Sequence, residues 1–207
     1  MSHGVKRGND ELVRLRDRGM RGPAVRPAPA AHDLLALARR RLLRGERCSV
    51  EDLATELGVS RATAYRWAGN ADELAGQVIA SLAEDTFHRA LGEARGRGAA
   101  RVIDVMARGM RYVAKSGAYR AFVERDPQKA LRIVASKDGP VQRRTIKLHE
   151  ELLEEEVRRG ALSLPVDVHT MAYALVRIVE SFLYAHAIAG EPIDLEKAEQ
   201  ILWLMLR

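Results

Sequence analysis

From residue 33 onward the apolar side chains recur three and four positions apart in almost every segment, and no run of alternating β-branched residues bounded by hairpin turns interrupts them. Such spacing gives each segment one buried stripe along a helix, so the chain reads as all-α. It predicts about nine or ten helices, over 33–44, two short ones within 49–68, then 71–91, 99–115, 118–124, 127–135, 141–159, 166–189 and 194–206. Local signals mark the ends. Gly45 and Gly160 stand where helices stop and Pro127 and Pro140 where they start; Asn70 with Glu73 forms a capping box, and Asp194 is placed as an N-cap.

Of the 207 residues 47% are hydrophobic and 30% charged, enough to bury a core and remain soluble as one domain, or as a small one joined to a larger one. The single cysteine, Cys48, has no partner for an intramolecular disulfide and reads as a small buried residue rather than a nucleophile. The first thirty residues hold no apolar run resembling a signal-peptide core, so an intracellular, cytoplasmic protein is expected. The longest apolar stretch, 168–189, carries Arg177, Glu180 and His186, which suits a buried helix of a soluble protein and not a membrane span.

The net charge of +6 favours a polyanionic partner. Residues 1–75 hold 14 basic and 10 acidic side chains, against 20 and 18 in the rest, so the excess lies toward the N-terminus. Residues 1–30, with seven basic side chains among glycines and prolines, read as a flexible basic arm. Residues 31–75 read as a DNA-binding domain and 76–207 as a helical ligand-binding and dimerisation domain.

The stretch from Ser49 to Trp67 carries the chemistry. Ser49 is placed to cap a short helix, Leu53, Ala54 and Leu57 give it an apolar face, and Ala54 is small where two helices must cross. Gly58 suits a left-handed turn, Val59 plugs the angle between the helices, and Ser60 caps a second helix beginning at Arg61. This is the grammar of a helix-turn-helix. Its second helix enters the major groove N-terminus first, which makes Arg61, Ala62, Thr63, Tyr65, Arg66 and Trp67, with Ser49, the candidate DNA contacts. Arg61 suits a guanine edge or a phosphate, Ala62 and Thr63 a base edge or thymine methyl, and Tyr65 and Trp67 the backbone. The plainer reading has Tyr65 and Trp67 filling the core of an ordinary helix pair.

Residues 50–57, Gly58-Val59-Ser60, Thr63, Tyr65 and Asp72-Glu73-Leu74 resemble the TetR family of bacterial transcriptional regulators. The resemblance covers about 31–207 and implies three DNA-binding helices, a larger helical effector domain, and a repressor. Two positions depart from the family pattern: Ala68 stands where an aromatic residue usually closes the third helix, and Ala71 where a lysine usually opens the fourth. The second change removes an expected phosphate contact, which Asn70 or the basic arm would have to replace, while Trp67 is placed to refill the packing at Ala68. The run Val176-Arg177-Ile178-Val179-Glu180-Ser181-Phe182-Leu183-Tyr184-Ala185, followed by Ala189-Gly190-Glu191-Pro192, is similar to the QsdR-type branch. That resemblance implies an effector related to lactones or acyl chains from quorum-sensing signals.

A ligand cavity in a helical bundle is mostly apolar with a few aimed polar groups. Phe87, Met106, Met110, Phe122, Leu152 and Tyr173 are candidate walls, with Tyr119, His149, Arg177 and Glu180 as candidate polar groups. Each alone reads as core, and Arg177 and Glu180, three apart, are placed for an intrahelical ion pair that serves the structure or a dimer interface before a ligand. Val176, Val179, Leu183, Ile201, Leu204 and Met205 offer more apolar surface than a terminal hairpin needs, which predicts a homodimer through a four-helix interface and a palindromic double-stranded DNA operator.

Catalysis is not expected. Gly92, Gly96 and Gly98 follow a helix and not a strand, so they form no dinucleotide loop, and the six histidines show no metal-ligand spacing; neither cofactor nor metal is predicted. The competing readings are a recombinase-type helix-turn-helix, which lacks its mixed α/β catalytic domain here, and a helical ligand-binding dimer without specific DNA binding, which the loss at Ala71 would favour.

Overall fold

The computed structural model describes residues 29–46 and 49–207; the basic arm up to residue 28 and Cys48 lie outside the described residues. Eleven helices and no strand occur among the described residues: α1 (Ala31–Leu43), α2 (Val50–Leu57), α3 (Arg61–Ala68), α4 (Ala71–Glu93), α5 (Ala99–Lys115), α6 (Gly117–Arg125), α7 (Pro127–Ala135), α8 (Pro140–Arg158), α9 (Val168–Leu183), α10 (Ala185–Ala189) and α11 (Leu195–Met205). None is long and apolar enough to cross a membrane.

The ends follow the local chemistry. Ser116, Asp126, Asp167 and Asp194 each accept a backbone N–H from the first turn of α6, α7, α9 and α11, and the Asn70 capping box closes in both directions, with Glu73 Oε2 3.1 Å from the Asn70 N–H. Pro127 and Pro140 occupy first turns, where a missing N–H costs nothing.

One expected helix is two. The segment predicted over 166–189 starts after the Asp167 cap and breaks at Tyr184, where φ −100° and ψ 9° leave helical geometry before α10 resumes. The Tyr184 ring stacks on Tyr119 at 6.2 Å, so a contact across the fold overrides the continuous helical pattern of the sequence.

Apolar burial falls into two main clusters. Leu34, Leu37 and Ala38 of α1 pack with Val50, Leu53 and Ala54 of α2, Ala64 and Ala68 of α3, and Leu74 and Val78 at the start of α4. A larger cluster joins the far end of α4, through Phe87 and Ala90, to α5, α8, α9 and α11. Helix α4 thus belongs to both, its N-terminal turns under the helix-turn-helix and its C-terminal turns inside the bundle. It passes close to α8, because a Cβ at Gly76 would lie 3.0 Å from Pro140 Cγ, and Arg144 of α8 makes a two-pronged pair with Glu84 of α4, one arm at 2.8 Å.

Candidate nucleic-acid interface and effector cavity

The helix-turn-helix is assembled by short-range bonds. Ser49 Oγ accepts from the Asp52 N–H at 3.0 Å to start α2. Gly58 ends it at φ 68°, ψ 29°, a left-handed conformation that a Cβ would penalise, and Val59 N–H closes the turn on Ala54 O at 3.0 Å. Ser60 Oγ then accepts from the Thr63 N–H at 3.1 Å and lies 2.9 Å from the Thr63 hydroxyl, so Thr63 is tied to the cap of α3. Ala64 and Ala68, one turn apart, are buried against α1 and α2, and this turns the opposite face of α3 outward.

Arg61, Ala62, Tyr65 and Arg66 are on that exposed face, and among the described residues neither Arg61 nor Arg66 is held in a salt bridge. Thr63 and Ser49 are half-buried in their caps. Tyr65 donates its hydroxyl to the Glu51 carboxylate; that bond, with nearby Arg61, holds Glu51 below the usual carboxylate range, and the same bond raises the phenol although Arg61 works against it. A Tyr65 contact to a phosphate therefore requires this bond to open. Trp67 is half-buried and packs against the α1–α3 core, so part of its ring is given to packing.

The bundle holds a cavity of about 380 Å³. Phe87, Met106, Met110, Tyr119, Phe122, His149 and Glu180 from the sequence candidates line it together, on α4, α5, α6, α8 and α9. Leu152, Tyr173 and Arg177 do not. Leu152 sits one turn beyond His149, in the main core. The cavity stripe of α9 is Val176, Val179, Glu180 and Leu183, whereas Tyr173 and Arg177, four apart, lie on the neighbouring stripe, Tyr173 exposed and Arg177 half-buried. The same phase corrects the expected dimer surface, since Val176 and Leu183 are buried and Val179 is on the cavity wall. The large apolar side chains left exposed on α9 and α11 are Tyr173, Ile201, Trp203 and Leu204.

The polar lining is sparse. His149 is buried, with Nδ1 2.8 Å from Thr145 O and its ring edge-on to Phe87 at 5.1 Å; burial pushes its pKa down despite the Thr145 bond. Glu180 accepts from Gln142 and from Arg177 at 3.0 Å, yet burial outweighs both and pushes its pKa up. Tyr119 donates to Leu183 O at 3.3 Å, and burial raises both its phenol and that of Tyr184. Arg177 also reaches Ala135 O, joining α9 to the end of α7.

Sequence reasoning missed Leu42 and Leu43, at the end of α1, which line the cavity as well. Their place on the apolar face of the first helix was the available signal. It missed Gln142, fully buried with Nε2 bridging Val134 O and Glu180, because a glutamine in a charged stretch carries no signature of burial. Further ties join bundle and helix-turn-helix: Arg125 of α6 donates to Gly45 O after α1, and Asp72 at the start of α4 pairs with Arg132 of α7 at 2.7 Å and with Lys129. Among the described residues no group of three or more His, Cys, Asp or Glu is arranged to hold a metal ion.

An exposed recognition helix joined to a hollow helical bundle has known counterparts. Residues 97–207 match the family described as tetracyclin repressor-like, C-terminal domain. The structure of the transcriptional repressor QsdR of the TetR family from R. erythropolis is 34% identical, covers 85% of this chain and 93% of its own, and superposes with a TM-score of 0.81. The TetR family repressor AlkX from Dietzia sp. strain DQ12-45-1b, 20% identical over 88% of this chain and 95% of its own with a TM-score of 0.60, is similar in fold. So is FadR from Bacillus subtilis, 13% identical over 86% and 98% with a TM-score of 0.51. No protein of curated function matches the chain in sequence. The chain belongs to the TetR family of transcriptional regulators.

Proposed function

We propose that the protein is a cytoplasmic, non-enzymatic repressor that binds a palindromic operator as a homodimer and leaves it when a small, largely apolar effector enters the bundle cavity. One observation carries this reading: α1 is both a core helix of the DNA-reading unit, through Leu34, Leu37 and Ala38, and a wall of the cavity, through Leu42 and Leu43. A ligand that fills the cavity pushes on the helix that seats α3. The repressor role is supported by the likeness to QsdR, whose structure is described as that of a transcriptional repressor. An effector of the lactone or acyl-chain kind fits the predominantly apolar walls. The exposed face of Tyr173, Ile201, Trp203 and Leu204 is the surface for the second copy, and two-fold pairing of recognition helices matches a palindromic site. We place domain limits at 31–75 and 76–207, with α4 crossing the boundary as a shared strut.

The test is a fluorescence-anisotropy titration against a fragment of the protein's own promoter and against scrambled DNA, at two salt concentrations. Binding to the promoter at least tenfold tighter than to scrambled DNA, weakening as salt rises, is the expected result. Equal, weak binding to both would sink the reading in favour of a helical ligand-binding dimer.

A further inference from the structure

Resting on the reading of the cavity as the effector site, we propose that it selects uncharged ligands bearing a hydrogen-bond donor, such as an alcohol or an N–H amide on an apolar chain, and turns away the matching carboxylate. His149 supplies the first half of the argument. Its Nδ1 lies 2.8 Å from the Thr145 carbonyl oxygen, which only accepts, so the proton is assigned to Nδ1. Burial lowers the pKa of the ring, which is therefore neutral at neutral pH and leaves Nε2 as a bare acceptor. Among the described residues Nε2 has no partner. The edge contact with Phe87 holds the ring in place. A ligand O–H or N–H satisfies that lone pair, whereas a ligand with acceptors only leaves it unmatched in an apolar surrounding.

Charge supplies the second half. The acid on the wall, Glu180, is already matched by Arg177, whose guanidinium is outside the wall. Among the described residues the only arginine or lysine on the wall is Arg89, held 3.2 Å from Glu93 with its guanidinium 4.2 Å from the Tyr112 ring centre. A carboxylate entering the cavity would shed its water, meet another acid and find no uncommitted cation. The volume of about 380 Å³ lies within the range of roughly 300–1,000 Å³ that small-molecule cavities span.

Three probes of matched length separate these terms on the full chain at neutral pH: 1-decanol, methyl decanoate and decanoate, each measured by displacement of Nile red and by titration calorimetry. Decanol is expected to bind about tenfold tighter than methyl decanoate, and decanoate weakest of the three. His149→Phe is expected to bring decanol down to the level of the ester, and His149→Gln, which keeps an acceptor oxygen, to restore part of the difference. Decanoate binding as tightly as decanol would overturn the inference while leaving the effector cavity intact, and so would equal affinity of alcohol and ester in the unmodified protein. Failure of all three probes to bind would overturn the cavity's assignment as effector site, and the inference with it.

Discussion

Arg61→Ala is expected to lower promoter affinity by roughly five- to 150-fold, the equivalent of about 1–3 kcal/mol for one bidentate base contact, while scrambled DNA loses far less. The side chain stands at the first position of α3 on its exposed face, so its truncation removes no packing. Alanine is also the strongest helix former, and thermal stability should therefore stay within about 0.5 kcal/mol of the parent. A phosphate contact would give a different signature, an equal loss on both DNAs and a salt slope shallower by about one. Anisotropy titrations of Arg61→Ala and Arg66→Ala, each on both DNAs at several salt concentrations, therefore sort the two arginines into base reader and backbone anchor. Unchanged promoter binding in both variants would mean that α3 is not the reading helix.

The largest stability effect is expected at Glu156. This carboxylate is 1% exposed on α8, with Oε1 2.6 Å from Arg101 and Oε2 2.6 Å from the Gly98 N–H. It fixes the start of α5 against the end of α8, where Ala161 closely approaches Gly98. Glu156→Ala leaves the Gly98 N–H without that partner and Arg101 with Glu155 at 3.2 Å, at a cost of about 1–3 kcal/mol. Burial works to raise the Glu156 pKa, but the bonds from Arg101 and Gly98 outweigh it and the value lies below 4.5. A depressed carboxylate stabilises the fold above its unfolded pKa, and the contribution disappears as the pH falls through the lower folded value. Melting curves from neutral pH down to about pH 3 should thus show a shallower acid limb for Glu156→Gln than for the parent. Parallel limbs, or a loss under about 1 kcal/mol for the alanine variant, would argue against this role.

What the sequence made legible was the chemistry that acts within a turn or two of chain. Ser49, Ser60 and Asn70 bond the backbone two or three residues on, Pro127 and Pro140 start helices, and Gly58 takes the left-handed turn, each from its own local properties. The helix-turn-helix is almost wholly of this kind, which is why its caps and turn could be drawn from residues 49–67 alone. The cavity is not. Whether Arg177 or Val176 faces inward depends on the rotation of α9 about its axis, and that is set by its packing on α5, α8 and α11. The break at Tyr184 depends on Tyr119, far away in the chain, and the burial of Gln142 depends on Glu180 and Val134 arriving beside it.

The position of Leu42 and Leu43 gives the regulation a symmetry. Helix α1 has 13 residues, about 20 Å of rod at 1.5 Å per residue, with Leu34, Leu37 and Ala38 in the core of the helix-turn-helix unit, Leu42 packed against that core and on the ligand wall, and Leu43 on the wall. Under the proposed function, operator and effector compete for the setting of one short lever, and thermodynamic reciprocity fixes the exchange rate between them. Whatever factor the effector takes from operator affinity, the operator takes from effector affinity. Calorimetry with operator-saturated protein should show the effector bound more weakly by that same factor, so that each occupied promoter raises the signal concentration needed to empty it.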